Sequence, residues 1–393
     1  MWHAPGKLHE ASLRCMRRLM QCILLLPPRP HVQLKLLYTI GLLIYLAFII
    51  RWRFSFNYGV VYDRNDKFSR VVDLLNFVTL TVAHFTVAME LIWRNRSDEI
   101  EQQLERMRYV LRVQFGHKVN LLRLCRYCNT IYCLLLICCL MLFLMTIYNH
   151  VVTNTALLLF YAIYSELVLL MRLSNFTLYA ALILVFYVEL REASLRLILE
   201  LDKTRFEVWS LRRLSLERVA MLQHLHGLLW STVRSIERNF ELSLVIVMLK
   251  YFVDTSVLPY WMLVNRHNHV NISTTYYCAT EELCKLMGIF VSSFICTRCA
   301  LLQRQLRSIF HGLTTDRQNA QLNAALYRIS GQLGQERFEF SAGGLLVINN
   351  ETLGKFIFGM VSYIIICIQF RLTMIGKSPA EAVENFVTDA QLP

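Results

Sequence analysis

Long apolar runs alternate with charged connections along most of this chain. Seven of the runs are long enough to cross the hydrocarbon core of a bilayer as helices. We therefore predict an all-α membrane protein with seven transmembrane helices. The predicted spans are residues 34–50, 71–93, 129–149, 158–187, 243–264, 279–301 and 345–370. They form one transmembrane domain, residues 34–370, between an N-terminal segment 1–33 and a C-terminal tail 371–393.

Two long connections combine regularly spaced leucines with charged side chains. Residues 191–240 contain leucines at helical spacing and no proline. We predict that they continue the flanking spans as helices on the cytoplasmic side; a solvated loop is the alternative. Residues 303–342 have a similar pattern, and we predict two helical pieces there, broken at Gly331 and Gly334.

Charge supports a membrane protein and sets its orientation. The chain of 393 residues is 55% hydrophobic and 18% charged, with a formal net charge of +13. With the N-terminus inside, the cytoplasmic segments carry 27 Lys and Arg residues and the outer segments carry 8. The positive-inside rule therefore predicts a cytoplasmic N-terminus and an extracellular C-terminus. Asn271 begins a glycosylation sequon in a segment predicted outside. No nucleic-acid-binding motif accompanies the basic charge, so we expect the lipid bilayer as a partner and no nucleic acid.

The sequence contains no pattern typical of an enzyme. We find no P-loop, no dinucleotide-binding motif and no nucleophile–base pairing, and we expect no cofactor. The pairs Cys125/Cys128 and Cys296/Cys299 have the spacing of zinc ligands. Since 167 residues separate the two pairs and cysteines are common in apolar helices, we predict no metal site.

The last predicted span places polar and aromatic side chains at fixed helical positions. Tyr363, Ile366 and Phe370 are spaced i, i+3 and i+7 and so share one helical face. Gln369 lies on a neighbouring face. A ring of such helices would present Ile366 and Phe370 to a central axis, and Gln369 could bond to an adjacent subunit. The alternative is a packed helix with one satisfied polar residue.

The same segment resembles the C-terminal TYhhhhhQF motif of insect gustatory receptors. Tyr363, five residues and Gln369-Phe370 match it, with Ser362 in place of the threonine. Residues 338–344 and Asn349 also resemble the family's approach to this span. The resemblance implies a ligand-gated nonselective cation channel of four subunits, either a homotetramer or a heterotetramer with other gustatory receptors. It further implies that the last helix, about 345–370, lines the pore, that Ile366 and Phe370 form the gate, and that 191–240 and 303–342 form a cytoplasmic anchor.

The resemblance also implies a pocket for a small-molecule tastant in the outer half of the bundle. The aromatic and polar candidates there are Tyr161, Tyr164, Glu166, Asp254, Tyr260, Trp261 and Tyr276. Ionisable residues at bilayer depth are functional candidates. Alternatively, Glu166 or Asp254 pairs with Arg172 or Lys250 to brace the bundle, and Tyr260 and Trp261 anchor the membrane interface. The sugar-sensing branch of the family often carries an acidic residue where this chain has Ile364, which favours bitter or other aversive ligands.

Two other classes share parts of this pattern. A G-protein-coupled receptor would need an extracellular N-terminus, which reverses the basic bias, and its Asn-Pro-x-x-Tyr sequence is absent from span seven. A transporter would usually contain repeated halves with spans broken by Gly or Pro. The resemblance instead predicts a multi-pass receptor in the plasma membrane of sensory neurons.

Overall fold

A computed structural model describes most of the chain between residues 32 and 374. The described residues are 32–55, 67–114, 156–203, 209–267, 272–311, 320–336 and 338–374, together with separate residues between 126 and 148. Asn271, almost all of the N-terminal segment 1–33, and the tail beyond residue 374 lie outside them. The predictions for those parts stay predictions.

The described residues form nine long helices and one short hairpin. The helices are α1 Val32–Ser55, α2 Lys67–Trp93, α3 Ser97–Gln114, α4 Ala156–Lys203, α5 Trp209–Asn239, α6 Glu241–His267, α7 Ile272–His311, α8 Ala320–Gln335 and α9 Asn350–Met374. The strands are β1 Ser341–Ala342 and β2 Leu346–Val347, paired antiparallel.

Six of these helices confirm six of the predicted spans. The stretches long and apolar enough to cross a bilayer are Val32–Arg51, Arg70–Trp93, Ile163–Leu199, Glu241–Pro259, Cys278–His311 and Asn350–Gln369. The third predicted span, residues 129–149, falls in the segment described only in part, where the described residues are helical.

Helix α4 lies at the centre of the bundle, and α1 and α9 lie at its edge. In α4, 94% of the most apolar stretch is buried, whereas the corresponding share is 11% in both α1 and α9. Helix α4 packs mainly on α7, and also on α2 and α5. Helix α4 carries buried ionisable side chains such as Arg172 and Glu189, and protein around the helix supplies the polar partners that lipid lacks. Helices α1 and α9 leave one face for lipid or for another chain.

The connections of the later spans are largely helical. Helix α4 continues to Lys203, and α5 covers most of the segment after it, so the alternative of a solvated loop in 191–240 is wrong at the described residues. The predicted breaks at Gly331 and Gly334 are also wrong, because α8 passes through both. Its buried Leu326, Ile329 and Leu333 bind the helix to its neighbours, which offsets the weak helix propensity of glycine.

The last helix begins later than the predicted residue 345. Residues 341–347 form the hairpin, which turns at Gly343 and Gly344, both with positive φ angles of 57° and 68°. The hairpin uses these glycines because only they adopt this conformation without strain. Helix α9 then begins at Asn350, where the Asn349 side chain accepts a hydrogen bond of 2.7 Å from the Thr352 amide and caps the helix.

Hydrogen bonds from α5 and α7 position the hairpin and the start of α9. Glu237 of α5 accepts bonds of 2.8 Å from both the amide and the hydroxyl of Ser341. Gln303 of α7 accepts a bond of 2.9 Å from the Phe338 amide. The Asn350 amide donates to Thr297 Oγ1 of α7 at 2.9 Å. The segment before α9 is therefore attached to both α5 and α7.

Candidate functional site

Five ionisable side chains meet in the interior of the bundle and form what we call the charged cluster. It consists of Glu166 of α4, Lys250 and Asp254 of α6, and Glu281 and Lys285 of α7. The lysine and Asp254 side chains are each 2% exposed. Two of the opposite-charge pairs are spaced i, i+4, so each is formed within its own helix.

Lys285 is the hub of the charged cluster. Its ammonium contacts Asp254 and Glu281 and lies 3.4 Å from Glu166 Oε1. Lys250 bonds to Asp254 and to the Asn76 side-chain oxygen of α2. An ion taken out of water costs several kcal/mol, which only well-placed opposite charges and hydrogen bonds repay. The cluster therefore joins α2, α4, α6 and α7. Loss of any one of its charged side chains would leave an opposite charge buried without a partner, which destabilises the protein.

The charged cluster has three carboxylates close enough to bind a metal ion, but a lysine occupies the position between them. Oxygens of Glu166, Asp254 and Glu281 lie within 4.8 Å of one another. The Lys285 ammonium contacts all three carboxylates, so it supplies the positive charge that a metal ion would otherwise bring. Elsewhere, Cys296 and Cys299 are buried in α7, and their possible zinc partners Cys125 and Cys128 lie outside the described residues.

A second group, the aromatic cluster, adjoins the charged cluster. It consists of Tyr45 of α1, His84 of α2, and Tyr161 and Tyr164 of α4. Ring centroids in the group are 5.1 Å apart for His84 and Tyr164 and 5.8 Å apart for Tyr45 and Tyr164. The two clusters meet along α4. The Ser165 hydroxyl lies 2.9 Å from Nδ1 of His84 in the aromatic cluster, and the next residue, Glu166, belongs to the charged cluster.

Two polar atoms of the aromatic cluster have no hydrogen-bond partner among the described residues. They are the Tyr45 hydroxyl and His84 Nε2, and His84 is fully buried. By contrast, the Tyr161 hydroxyl lies 2.7 Å from Thr81 Oγ1. A buried polar group without a partner costs about 1–3 kcal/mol. The two orphaned atoms are thus suited to a polar group that is added from outside the chain.

The structure brings four of the seven predicted ligand residues into these clusters. Tyr161 and Tyr164 belong to the aromatic cluster, and Glu166 and Asp254 to the charged cluster. Tyr276 is 59% exposed and joins neither. Tyr260 and Trp261 lie in helix α6, but their side chains are outside the description.

The predicted bracing is present through Lys250, which pairs with Asp254 and lies 3.9 Å from Glu166 Oε1. Asp254 does pair with Lys250, but Arg172 does not reach Glu166, because six residues of helix point the two side chains in different directions. Arg172 instead donates to Glu90 Oε2 of α2 at 2.9 Å and to Ser243 Oγ of α6 at 2.9 Å.

Five of the nine cluster residues were not among the predicted ligand residues, and one of those five, Lys250, was predicted only as a bracing partner. The lysines could have been found, since Lys250/Asp254 and Glu281/Lys285 are opposite-charge pairs at i, i+4 inside apolar runs. Tyr45 and His84 carried no comparable signal. They come from separate spans, and only the packing of α1 and α2 on α4 brings them to Tyr161 and Tyr164.

The C-terminal half of α9 has one face against the bundle and one face open. Cys367 is 4% exposed, and Tyr363 packs beside it against Val257 and Leu258 of α6. Ile366 is 59% exposed and Gln369 is also exposed. The expected common face of Tyr363 and Ile366 is therefore divided, with Tyr363 turned towards the bundle and Ile366 away from it. The side chain of Phe370 lies outside the description.

Comparison with known proteins places this architecture in a family. Residues 13–374 match the family model described as 7tm Chemosensory receptor. Over 395 residues the chain is 44% identical to the Drosophila melanogaster protein named "Putative gustatory receptor 98a", covering all of both chains.

Solved structures share the fold. The insect olfactory receptor OR5 from Machilis hrabei matches with a TM-score of 0.63 and 13% identity, over 91% of this chain and 98% of that one. The structure of OR5 in complex with eugenol matches with a TM-score of 0.58 and 12% identity, over 92% and 99%. With its multi-pass helical bundle, its family match and its full-length relative, the chain belongs to the 7tm chemosensory receptor family, a family of receptors and not of enzymes.

Proposed function

We propose that this protein is a gustatory receptor that acts as a ligand-gated nonselective cation channel. Four subunits surround one pore, and the α9 helix of each subunit lines it. A small-molecule tastant binds in the outer half of the bundle and opens the pore. The N-terminus lies in the cytoplasm, and the protein resides in the plasma membrane of sensory neurons.

The observation that carries the proposal is the open face of α9. From residue 357 to residue 369, its exposed side chains are Ile357, Phe358, Val361, Ile365, Ile366 and Gln369. Helix α1 is equally peripheral, but its exposed residues from Leu36 to Phe48 include large apolar side chains throughout, as lipid contact requires. An amide is more favourably surrounded by water or by another subunit than by lipid. The exposed Gln369 on this face therefore supports α9 as the pore helix.

A gate at Ile366 follows from the same face. When four copies of α9 meet around an axis, a ring of isoleucines forms a narrow apolar constriction. Such a constriction excludes water and ions until it widens. Phe370, one turn further along α9, is the second proposed member of the gate. Tyr363 is half-buried against α6, so its role is to attach the gate-bearing helix to the bundle.

The ligand site that the geometry supports best is the junction of the aromatic and charged clusters. Aromatic faces, carboxylates and orphaned polar atoms meet there, and a ligand with a ring and a polar group could use all three. The residues proposed to contact it are Tyr161, Tyr164 and Glu166, with Asp254 behind them. The complex of OR5 with eugenol demonstrates that a relative of this fold binds a small aromatic molecule. Ile364, the residue after the motif tyrosine, favours bitter compounds over sugars.

Whole-cell current recording tests the proposal. Cells express the chain alone or with other gustatory receptors, and a panel of bitter compounds and sugars is applied while G-protein signalling is blocked. We expect a rapid cation current that persists under the block. A response that disappears under the block would contradict a channel and favour a G-protein-coupled receptor. A flux that saturates with the transported solute and needs a gradient of it would favour a transporter.

A further inference from the structure

An open groove lies between helices α3 and α5, outside the membrane-spanning part of the bundle. Its volume is about 1040 Å³. Helix α3 packs its apolar residues, including Leu104 and Met107, into the core and turns its opposite side to the groove. Three acidic residues of that side, Asp98, Glu101 and Glu105, line the groove. They are spaced i, i+3 and i+7, so they form one acidic stripe.

The groove also offers apolar surface beside the acidic stripe. Tyr109 is 67% exposed, and Val110 and Leu228 lie next to it in the lining. Among the described residues of the lining, the basic members are Arg106 and His224. A basic amphipathic segment is the occupant whose charge and apolar content fit such a surface.

The chain itself contains such a segment. Residues 1–31, which lie outside the described structure, carry five Lys and Arg residues and a single acidic residue, Glu10. Arg14, Arg17 and Arg18 are spaced i, i+3 and i+4, the pattern that in a helix places basic side chains on one face. Leu13, Met16 and Met20 have the spacing of a neighbouring apolar face.

The start of α1 places this segment beside the groove. The Trp93 indole at the end of α2 donates a hydrogen bond of 3.0 Å to Thr39 Oγ1, and the Lys35 ammonium lies 5.8 Å from the centre of the Trp93 ring. The N-terminal end of α1 therefore lies against the end of α2, and α3 begins only four residues after Trp93. The N-terminal end of α1 and the groove are therefore on the same side of the membrane, whatever the orientation of the bundle.

The tether between the segment and α1 is long enough. Val32 lies fourteen positions after Arg18 in the sequence, and this stretch can span up to about 46 Å when extended. The acidic stripe from Asp98 to Glu105 is about 10 Å long. The segment can thus reach the whole groove, and the short tether keeps its effective concentration there high.

We propose that the groove between α3 and α5 is the docking site of the chain's own N-terminal segment, with Arg14, Arg17 and Arg18 on the acidic stripe. Anionic lipid headgroups would also attract these arginines. The acidic stripe repels such headgroups and attracts the arginines, so the N-terminal segment, and not a lipid headgroup, is the occupant that fits the groove. The proposal does not depend on the pore or on the ligand site.

Cysteine crosslinking tests the docking in the full-length receptor. Native Cys15 lies beside Arg14, and Gln102 is an exposed residue of the groove lining. In the Gln102→Cys variant, a short bifunctional maleimide should link the two cysteines, and mass spectrometry identifies the linked peptides. The matched control is Tyr327→Cys on α8, where the native side chain is 82% exposed and does not line the groove. We expect a several-fold higher yield of the link to Cys15 at position 102 than at position 327.

Charge reversal separates docking from chance collision. Arg17→Glu with Arg18→Glu should reduce the link at position 102 to the control yield. Adding Glu101→Arg and Glu105→Arg to that variant should restore it. Equal yields at positions 102 and 327, or a yield that charge reversal does not change, would overturn the proposal. Labelling of Cys15 by a lipid-phase probe in place of the link would identify the membrane as the occupant and would also overturn it.

Discussion

Arg172 of α4 donates a hydrogen bond of 2.9 Å to Glu90 of α2, and the two side chains are 1% and 2% exposed. Glu90 also accepts bonds of 3.0 and 3.1 Å from the backbone amides of Leu242 and Ser243 at the start of α6. The carboxylate therefore neutralises a buried guanidinium and at the same time caps a spanning helix. One residue connects α2, α4 and α6.

Loss of Glu90 should destabilise the receptor strongly. Glu90→Ala leaves Arg172 buried without its counter-ion and removes the acceptor of two amides, which typically costs about 3–5 kcal/mol. We expect the detergent-solubilised protein to lose its monodisperse size-exclusion peak at a clearly lower temperature. Glu351→Ala is the control, because Glu351 pairs with Lys355 on the exposed surface of α9. Equal melting of the two variants would contradict the structural role of Glu90.

A polar side chain at the proposed gate should let the channel conduct without ligand. Ile366→Ser removes the apolar constriction and should raise the ligand-free current. Ile44→Ser is a matched control, since Ile44 is 65% exposed on α1 and Ile366 is 59% exposed on α9. Whole-cell recording at equal surface expression compares them. A leak that is unchanged in Ile366→Ser, or equally raised in Ile44→Ser, would argue against a gate at Ile366.

Gln369 should be needed where subunits meet. Gln369→Leu keeps the size of the side chain but removes its hydrogen bonds, so we expect altered gating or weaker tetramers. Crosslinking in native membranes and current recording measure the two effects. Ser362→Ala is the control, because the Ser362 hydroxyl bonds to the Phe358 carbonyl of its own helix at 2.9 Å. If Gln369→Leu forms normal tetramers with normal currents, Gln369 does not bond between subunits.

Changes in the aromatic cluster should shift the ligand response. Tyr164→Leu removes a ring from the proposed binding site and should raise the ligand concentration for half-maximal current by about tenfold, equivalent to about 1.4 kcal/mol. Tyr276→Leu is the control, since Tyr276 is exposed and belongs to neither cluster. The maximal current should stay near that of the native receptor. If Tyr164→Leu lowers only the amount of folded protein, and leaves the concentration dependence unchanged, the tyrosine braces the bundle and does not bind ligand.

Acid should weaken the region of α5 that holds His226. His226 is 1% exposed, and burial lowers its pKa from 6.5 to about 4, outweighing the attraction of Glu336 Oε2 at 2.9 Å from its Nδ1. Below pH 6.5 the unfolded chain binds a proton that the folded chain does not bind, so stability falls as the pH falls towards 4.

The size of this effect can be measured with one variant. Between pH 6.5 and 5 the loss from His226 is about 2 kcal/mol, at 1.36 kcal/mol for each pH unit. We expect thermal unfolding of the solubilised receptor to show this loss. His226→Phe should make that part of the pH dependence smaller, even if the variant is less stable at every pH. An identical pH dependence in both proteins would show that other groups control the acid response.

The outline of the bundle was readable in the chain because each span satisfies its backbone hydrogen bonds internally. Length and hydropathy therefore predicted spans such as 34–50 and 243–264 without knowledge of any neighbour, and the structure has apolar helical stretches at Val32–Arg51 and Glu241–Pro259. The same local reasoning explains the error at the start of α9. Residues 345–349 are apolar enough to continue the helix, but the hairpin turn at Gly343 and Gly344 and the cap at Asn349 delay it.

The sequence by itself determined the class of the protein, its spans and the ionisable residues inside them, because composition and helical periodicity are properties of single segments. Only the tertiary structure decided which residues meet. Glu90 accepts a hydrogen bond from Arg172, and Lys285 lies 3.4 Å from Glu166 although the two are 119 positions apart in the sequence. Periodicity shows which residues share one face of a helix. Which residues of a neighbouring helix they contact depends on how that helix is rotated about its axis and shifted along it. That selection depends on side-chain packing across the whole bundle.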